Sequence, residues 1–356
     1  MLRNNLKGKV QTVRGLFDSN NMGITLPHEH LFIDLANIYM KEPKSLKEKK
    51  IAREKIDLSN LWYARHHKSS CIDNMILNDE NLITQEVLYF KGAGGSTIVD
   101  MTCNNIGRNP EGLWNIAEKT NLNIIMGTSY YIAQSYTPDM QMPLKKVEDF
   151  ATEFIKDIKV GIGKRKIKAG IIGEIGMSWP IIDTEKKVLQ GAGIAQRETG
   201  VAINIHLAGN KDAPFEYIKI LEEVGADLSH VTLSHMTRAF PIYAREDRRK
   251  IAKKGCYLEY DMFGSDGIFP TQLSEYDVVN DALRIDQIAE LINDGFLSQI
   301  LISHDICYKV MLKAYGGGGY SHILDTILPM MYKKGISESQ INTILIENPK
   351  RLMSFY

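Results

Sequence analysis

The chain has 356 residues, 44% of them hydrophobic, which is enough for one large core or two ordinary ones. Its 43 basic and 43 acidic side chains balance to zero net charge, which argues against nucleic acid or a membrane surface as partner. The four cysteines (Cys71, Cys103, Cys256, Cys307) are scattered without a CxxC, residues 1–7 lack the apolar stretch of a secretory signal, and no run approaches the roughly 18 apolar residues of a membrane span. The expectation is a cytoplasmic protein with reduced thiols.

The first predicted element is a strand over 23–30 that closes on Pro27-His28-Glu29-His30. Side chains alternate along a strand, so an H-x-H at its end points both imidazoles to one face. Two neutral imidazoles side by side in an interior are costly unless a cation holds them. Further apolar runs follow at 96–102, 123–129, 169–174, 201–206, 231–235, 256–261 and 298–305. Four of them end on a potential metal ligand: Glu174, His206, His235 and Asp305. Between the runs lie helical patterns such as 184–199 and 213–224. Strand and helix alternating in this way indicate an α/β fold with a parallel sheet, and eight such units favour a closed (β/α)8 TIM barrel. The ligands sit at C-terminal strand ends, where barrel enzymes place their chemistry.

Three segments depart from the alternation. Residues 36–81 form an insertion after the first strand, and its charge runs (Lys41-Glu42-Pro43-Lys44, Lys47-Glu48-Lys49-Lys50) read as a solvated helix of mixed sign, with a lid or partner surface as the functional alternative. Gly316-Gly317-Gly318-Gly319 lacks a following Gly-Lys-Ser/Thr, so it reads as a flexible loop over the barrel mouth instead of a phosphate cradle. Asn348-Pro349 reads as the cap and first turn of a closing helix. No internal boundary is visible, so residues 1–356 are expected to form one domain.

Several separated segments together carry a resemblance. They are 8–13 (GKVQTV), 170–176 (GIIGEIG), Ser178-Trp179-Pro180, 255–261 (GCYLEYD), His304-Asp305-Ile306, 319–324 (GYSHIL) and 344–350 (ILIENPK). With these the chain resembles the phosphotriesterase branch of the amidohydrolase superfamily, and within it the phosphotriesterase-related proteins. The resemblance implies a binuclear metal site at the C-terminal mouth of the barrel. His28, His30 and Asp305 would hold the first ion, His206 and His235 the second, and Glu174 would bridge them where the phosphotriesterase itself has a carboxylated lysine. Mixed imidazole and carboxylate ligation suits two zinc ions, with manganese, cobalt or iron compatible. Such a pair activates water and polarises the scissile oxygen, while Asp305 relays the proton to the leaving group.

For the substrate, the resemblance implies hydrolysis of an amide, N-acetyltaurine or a related N-acyl amino acid. Sugar lactones and organophosphate esters remain alternatives with the same site, and a barrel that binds ligand without catalysis is a third. Met262 stands where quorum-type lactonases of the family carry an arginine, which weakens the acyl-lactone alternative. Arg238 and Lys309 follow their strand ends closely and are candidates for an anionic substrate tail. Tyr131 and His322 are candidates for the pocket wall. His66-His67 reads as surface, His304 as packed behind the site, His230 as structural, and Lys168 lies at the wrong end of its strand to bridge metals. A homodimer is a further expectation from the resemblance.

Overall fold

Runs of Val, Ile and Leu that must be covered on both faces form strands flanked by helices, and eight such strands make the central sheet. In the computed structural model, which describes residues 6–237, 242–265 and 279–356, they are β1 (Thr25–Glu29), β2 (Thr97–Asp100), β3 (Asn123–Thr128), β4 (Ile171–Gly176), β5 (Ala202–His206), β6 (Val231–Leu233), β7 (Tyr257–Tyr260) and β8 (Ile300–Ile302). Each pairs in parallel with the next, in sequence order. The barrel closes between β8 and β1, where the Asp305 amide donates to the His28 carbonyl (3.2 Å) and the His28 amide to Ser303 Oγ (3.1 Å). Helices such as Glu80–Gly92, Pro110–Thr120 and Asp183–Thr199 form the outer layer. The first two begin at side-chain caps that their sequences announce, Asp79 and Asn109.

The barrel interior is layered. At the floor, Val99, Ile125, Ile171, Ala202, Tyr257 and Leu301 pack against Val10 and Met22 from the N-terminal segment and Leu352 and Met353 from the last helix. Above the floor is a hydrogen-bonded polar layer of Asn204, Ser234 and Glu259. The predicted ligands lie above that. Two irregularities of register, between Leu26 and Glu29 on β1 and between Ile172 and Ile175 on β4, interrupt simple alternation just before His28 and Glu174. Gly173 is needed at the second, since a Cβ there would lie 2.8 Å from that of Asn204.

The strands are shorter than the apolar runs suggest. Residues 234–235, 261 and 303–305 leave the ladder, and His235 (φ 60°) and Asp305 (φ 54°) take left-handed backbone conformations. Non-glycine residues in this region are uncommon and concentrate at functional sites.

One sequence expectation is extended and two are corrected. The charge run Lys47-Glu48-Lys49-Lys50 does lie on a solvated helix, Leu46–Ile51, and the rest of residues 36–81 folds around it as a cap. Short helices Ala36–Tyr39, Leu46–Ile51 and Leu61–His66 alternate with loops, and Ile38, Ala52, Ile56, Tyr63, Met75 and Leu77 join the main apolar core. Apolar residues between the charge runs anchor them. The glycine loop is packed, not loose: a Cβ on Gly317 would sit 2.1 Å from the Met311 carbonyl, and the Gly319 amide donates to that same oxygen at 2.9 Å. Asn348 caps no helix; its Nδ2 donates to the carbonyls of Leu297 (2.9 Å) and Ile300 (2.7 Å), tying the last helix to β8.

The cap is pinned to the loop after β8 by Lys309, whose Nζ lies 2.6 Å from Asp73 Oδ1 with side chains only 11% and 20% exposed. Asp73→Asn leaves a nearly buried ammonium without its counter-charge, so urea unfolding should show a loss of about 1–3 kcal/mol. The double variant with Lys309→Met should regain part of that loss. An unchanged midpoint in the single variant would show that the pair does not hold the cap.

Candidate metal centre

The structure brings all six predicted ligands to one place. His28 comes from β1 and His30 from the residue after it, Glu174 from β4, His206 from β5, His235 from just beyond β6 and Asp305 from beyond β8. His30 Nε2 lies 3.3 Å from Glu174 Oε1 and 3.2 Å from Asp305 Oδ1. His28 Nε2 lies 3.7 Å from Glu174 Oε2 and 3.8 Å from Asp305 Oδ1. On the other side, His206 Nδ1 is 2.7 Å from Glu174 Oε2 and 2.8 Å from His235 Nε2. Glu174 therefore stands between a His28–His30–Asp305 group and a His206–His235 pair. Four of the six are essentially buried, while the His206 and Asp305 side chains keep 12% and 17% exposure at the mouth.

Outer hydrogen bonds fix which nitrogen faces inward. Thr102 Oγ1 donates to the Phe32 carbonyl (2.7 Å), so it accepts from His30 Nδ1 (2.9 Å) and leaves a lone pair on Nε2. His235 Nδ1 donates to Asp261 Oδ1 (2.9 Å), and the His235 amide donates to the same carboxylate. His28 Nδ1 donates to Glu259 Oε2 (3.0 Å). Glu29, the middle residue of the H-x-H, faces away from the site and accepts from Ser303 Oγ, His304 Nδ1 and the amides of His304 and Ile306. It thereby holds the segment that presents Asp305.

These atoms fit a metal. His28 Nε2 is buried without a hydrogen-bond partner, and the facing nitrogens of His206 and His235 repel at 2.8 Å unless a cation or proton stands between them. His28, His30 and Asp305 offer ligand atoms within 4.8 Å of one another, as do His28, Glu174 and His235. Nitrogen and oxygen donors of this mixture suit a divalent transition metal.

Protonation follows the same electrostatics. Burial alone would lower His30, but hydrogen bonds and charge from Asp305 and Glu174 outweigh it and push its pKa up to about 9. Burial likewise opposes, and the Asp261 carboxylate overcomes, a rise of His235 to about 9. Glu174 is driven well below the ordinary carboxylate range, against burial, by the imidazoles around it, His206 foremost.

The other predicted residues divide. Tyr131 reaches the site, its hydroxyl 3.5 Å from His206 Nε2 and 2.9 Å from the hydroxyl of Tyr39 in the cap. Lys309 is 9% exposed and its Nζ pairs with Asp73, which docks the cap. His322 Nε2 is held 2.9 Å from Asp281 Oδ2 in a cluster with the buried Arg284. Arg238 lies outside the described residues. His304 packs behind the site, His66 is exposed, and His230 stacks on Tyr356. The sequence reading missed Glu259 and Asp261, although their E-x-D spacing at the end of a strand is the same period-two signal as H-x-H.

A (β/α)8 barrel whose C-terminal strand ends carry two adjoining groups of imidazole and carboxylate donors belongs to the metal-dependent barrel hydrolases. More specifically, the chain is a member of the phosphotriesterase family, whose sequence pattern spans residues 8–353 and whose enzymes use paired divalent metals. It is 39% identical over 352 residues to the N-acetyltaurine hydrolase of Bos taurus, covering 98% of this chain and 99% of that one. It is 38% identical over 350 residues to a phosphotriesterase-related protein of Nematostella vectensis, with 98% and 99% covered. Among solved structures, the resiniferatoxin-binding protein from Rhodobacter sphaeroides superposes with a TM-score of 0.91 at 32% identity, over 98% of this chain and 95% of that one.

Raised histidine pKa values set a pH test. An imidazole at about 9 in the folded protein and 6.5 unfolded contributes stability that is complete below pH 6.5 and is lost as pH rises through 9. Metal-free protein should therefore melt at progressively lower temperature from pH 6.5 to 9, whereas metal-loaded protein should resist the change because the ions replace those protons. A flat or rising melting temperature for the metal-free form across that window would contradict this account of the site.

Proposed function

We propose that the protein is a zinc-dependent amidase that cleaves N-acetyltaurine and related N-acyl amino acids to the free amine and a carboxylate. The observation that carries the reading is the convergence of the six donors on Glu174. His28, His30 and Asp305 would hold one ion, His206 and His235 the other, with Glu174 shared between them. Bound there, divalent ions would lower the pKa of a water towards neutrality and polarise the scissile carbonyl. Zinc is preferred for its affinity for imidazole, and manganese, cobalt or iron satisfy the same donors.

The chain's own groups supply the rest. Asp305, the more exposed of the two carboxylates, accepts a proton from water at its side chain and returns it to the departing amine nitrogen. Tyr131, steadied by Tyr39, forms a wall beside His206 and presents a hydroxyl to the acyl group. The amide substrate is taken from the hydrolase relative, which is similar along nearly the whole chain. A non-catalytic binding barrel is the competing reading, since the resiniferatoxin-binding protein shares the fold; the complete donor set favours catalysis. All four cysteines are free, which supports action in the reducing cytoplasm, and no helix of the described residues is long and apolar enough to cross a membrane.

Zinc- or manganese-loaded protein should release taurine from N-acetyltaurine faster than it turns over a γ-lactone or paraoxon. Glu174→Ala should reduce that release by more than the roughly 10–100-fold typical of losing an outer partner. Lactone turnover without taurine would replace the substrate while keeping the site. No turnover with metal bound would leave the binding barrel.

A further inference from the structure

Glu259 is fully buried on β7, in the polar layer beneath the ligands. One oxygen, Oε2, gathers every contact: His28 Nδ1 at 3.0 Å, Asn204 Nδ2 at 2.8 Å and Ser234 Oγ at 2.9 Å. The other oxygen, Oε1, has no hydrogen-bond partner. A buried carboxylate with an unmatched oxygen is unfavourable for folding by itself. Its place in the barrel is better explained by what it does to His28. The amide of Asn204 and the hydroxyl of Ser234 aim Oε2 at His28 Nδ1, which must then carry the hydrogen, and Nε2 is left with its lone pair turned toward Glu174 and Asp305.

Two residues further along, Asp261 holds His235 in the same manner at 2.9 Å. Asp261 also approaches His28 Nδ1, but at 3.4 Å, so Glu259 makes the shorter contact. The two carboxylates thus stand two residues apart at the C-terminal end of β7, Glu259 within the strand and Asp261 just beyond it, each behind an imidazole from a different ion position.

We propose that Glu259 is the positioning residue for the ion held by His28, His30 and Asp305, and that Asp261 serves the ion held by His206 and His235, so that β7 sets the two affinities separately. The inference rests on the metal-dependent reading above. Glu259 acts through its charge as well as its shape: a carboxylate behind an imidazole raises the basicity of the far nitrogen, and a neutral amide of equal size does not.

The test compares wild type with Glu259→Gln and Asp261→Asn, counting bound zinc per chain by mass spectrometry during titration with a chelator, and recording visible spectra of the cobalt-loaded forms. Glu259→Gln should lose about 10–100-fold in affinity for one ion and keep the second near the wild-type value. Asp261→Asn should weaken the other ion, and the two cobalt spectra should change differently. Ser234→Ala, which removes neutral support and leaves the charge, should weaken the first ion by clearly less than Glu259→Gln does and leave the second near the wild-type value.

Equal retention of both ions in Glu259→Gln overturns the inference, and so does equal loss of both, or an identical effect of Ser234→Ala. If Glu259→Gln does not fold, Glu259→Asp and Glu259→Asn match in size and differ in charge; equal zinc affinities in that pair also overturn it. Wild-type protein that holds no zinc overturns the metal-dependent reading itself, whereas two ions in wild type with unchanged affinity in Glu259→Gln overturn only the role of Glu259.

Discussion

Concentrated negative charge inside a closed barrel is the constraint around which this structure is organised. Glu174, Glu259 and Asp261 are buried within a few ångströms of four imidazoles, and Asp305 stands at the rim. No lysine or arginine of the described residues is hydrogen-bonded or ion-paired to these carboxylates; among the described residues their ion-pair partners are imidazoles. Isolated carboxylates are not stable in such surroundings, so the site must be filled either by protons on histidine or by metal cations. The first alternative explains why His30 and His235 hold protons so strongly, and the second explains why one nitrogen of each imidazole is left facing inward. Proton and metal compete for the same lone pairs, and the fold serves to keep those lone pairs in place.

That placement depends on departures from ideal strand geometry. Alternation alone sends Asn204 and His206 of β5 inward, but it cannot put both Ser234 and His235 to use at one site. The left-handed turn at His235 redirects its ring, and the interrupted register on β4 brings Glu174 in from a run otherwise made of isoleucine and glycine. Each departure is unfavourable locally. The surrounding hydrogen bonds hold it: the Asp261 carboxylate takes both the amide and the ring of His235, and Glu29 takes two amides flanking Asp305.

What the sequence made legible follows from this division. The eight apolar runs and the ligand at the end of each relevant run depend on local pattern, and the barrel with its cluster of donors could be read from them. The roles of Lys309 and His322 were not legible, because a charged side chain near a strand end chooses its partner in three dimensions. Asp73 lies more than two hundred positions from Lys309, and nothing near either residue announces the other. The anchors of the cap were hidden for a related reason: charge runs dominate its composition, while Ile38, Ile56, Tyr63 and Met75, too far apart to form a periodic pattern, hold it to the core. Glu259 and Asp261 were legible in principle, but a carboxylate behind a ligand leaves the same mark in sequence as one that binds metal directly.

The cap also bears on how one donor set serves different substrates. Attack on a carbonyl or a phosphoryl centre asks the same of the metal ligands, so discrimination has to come from the walls above them. One wall is continuous with the ligands themselves: the Tyr39 hydroxyl touches that of Tyr131, which in turn stands against His206. The Asp73–Lys309 pair fixes the same cap to the segment that carries Asp305. The cap therefore adjoins two of the six proposed ligands, His206 through Tyr131 and the Asp305 segment through Lys309. A segment whose charge runs are exposed thus also carries the tyrosine and the aspartate that touch the surroundings of the donor site.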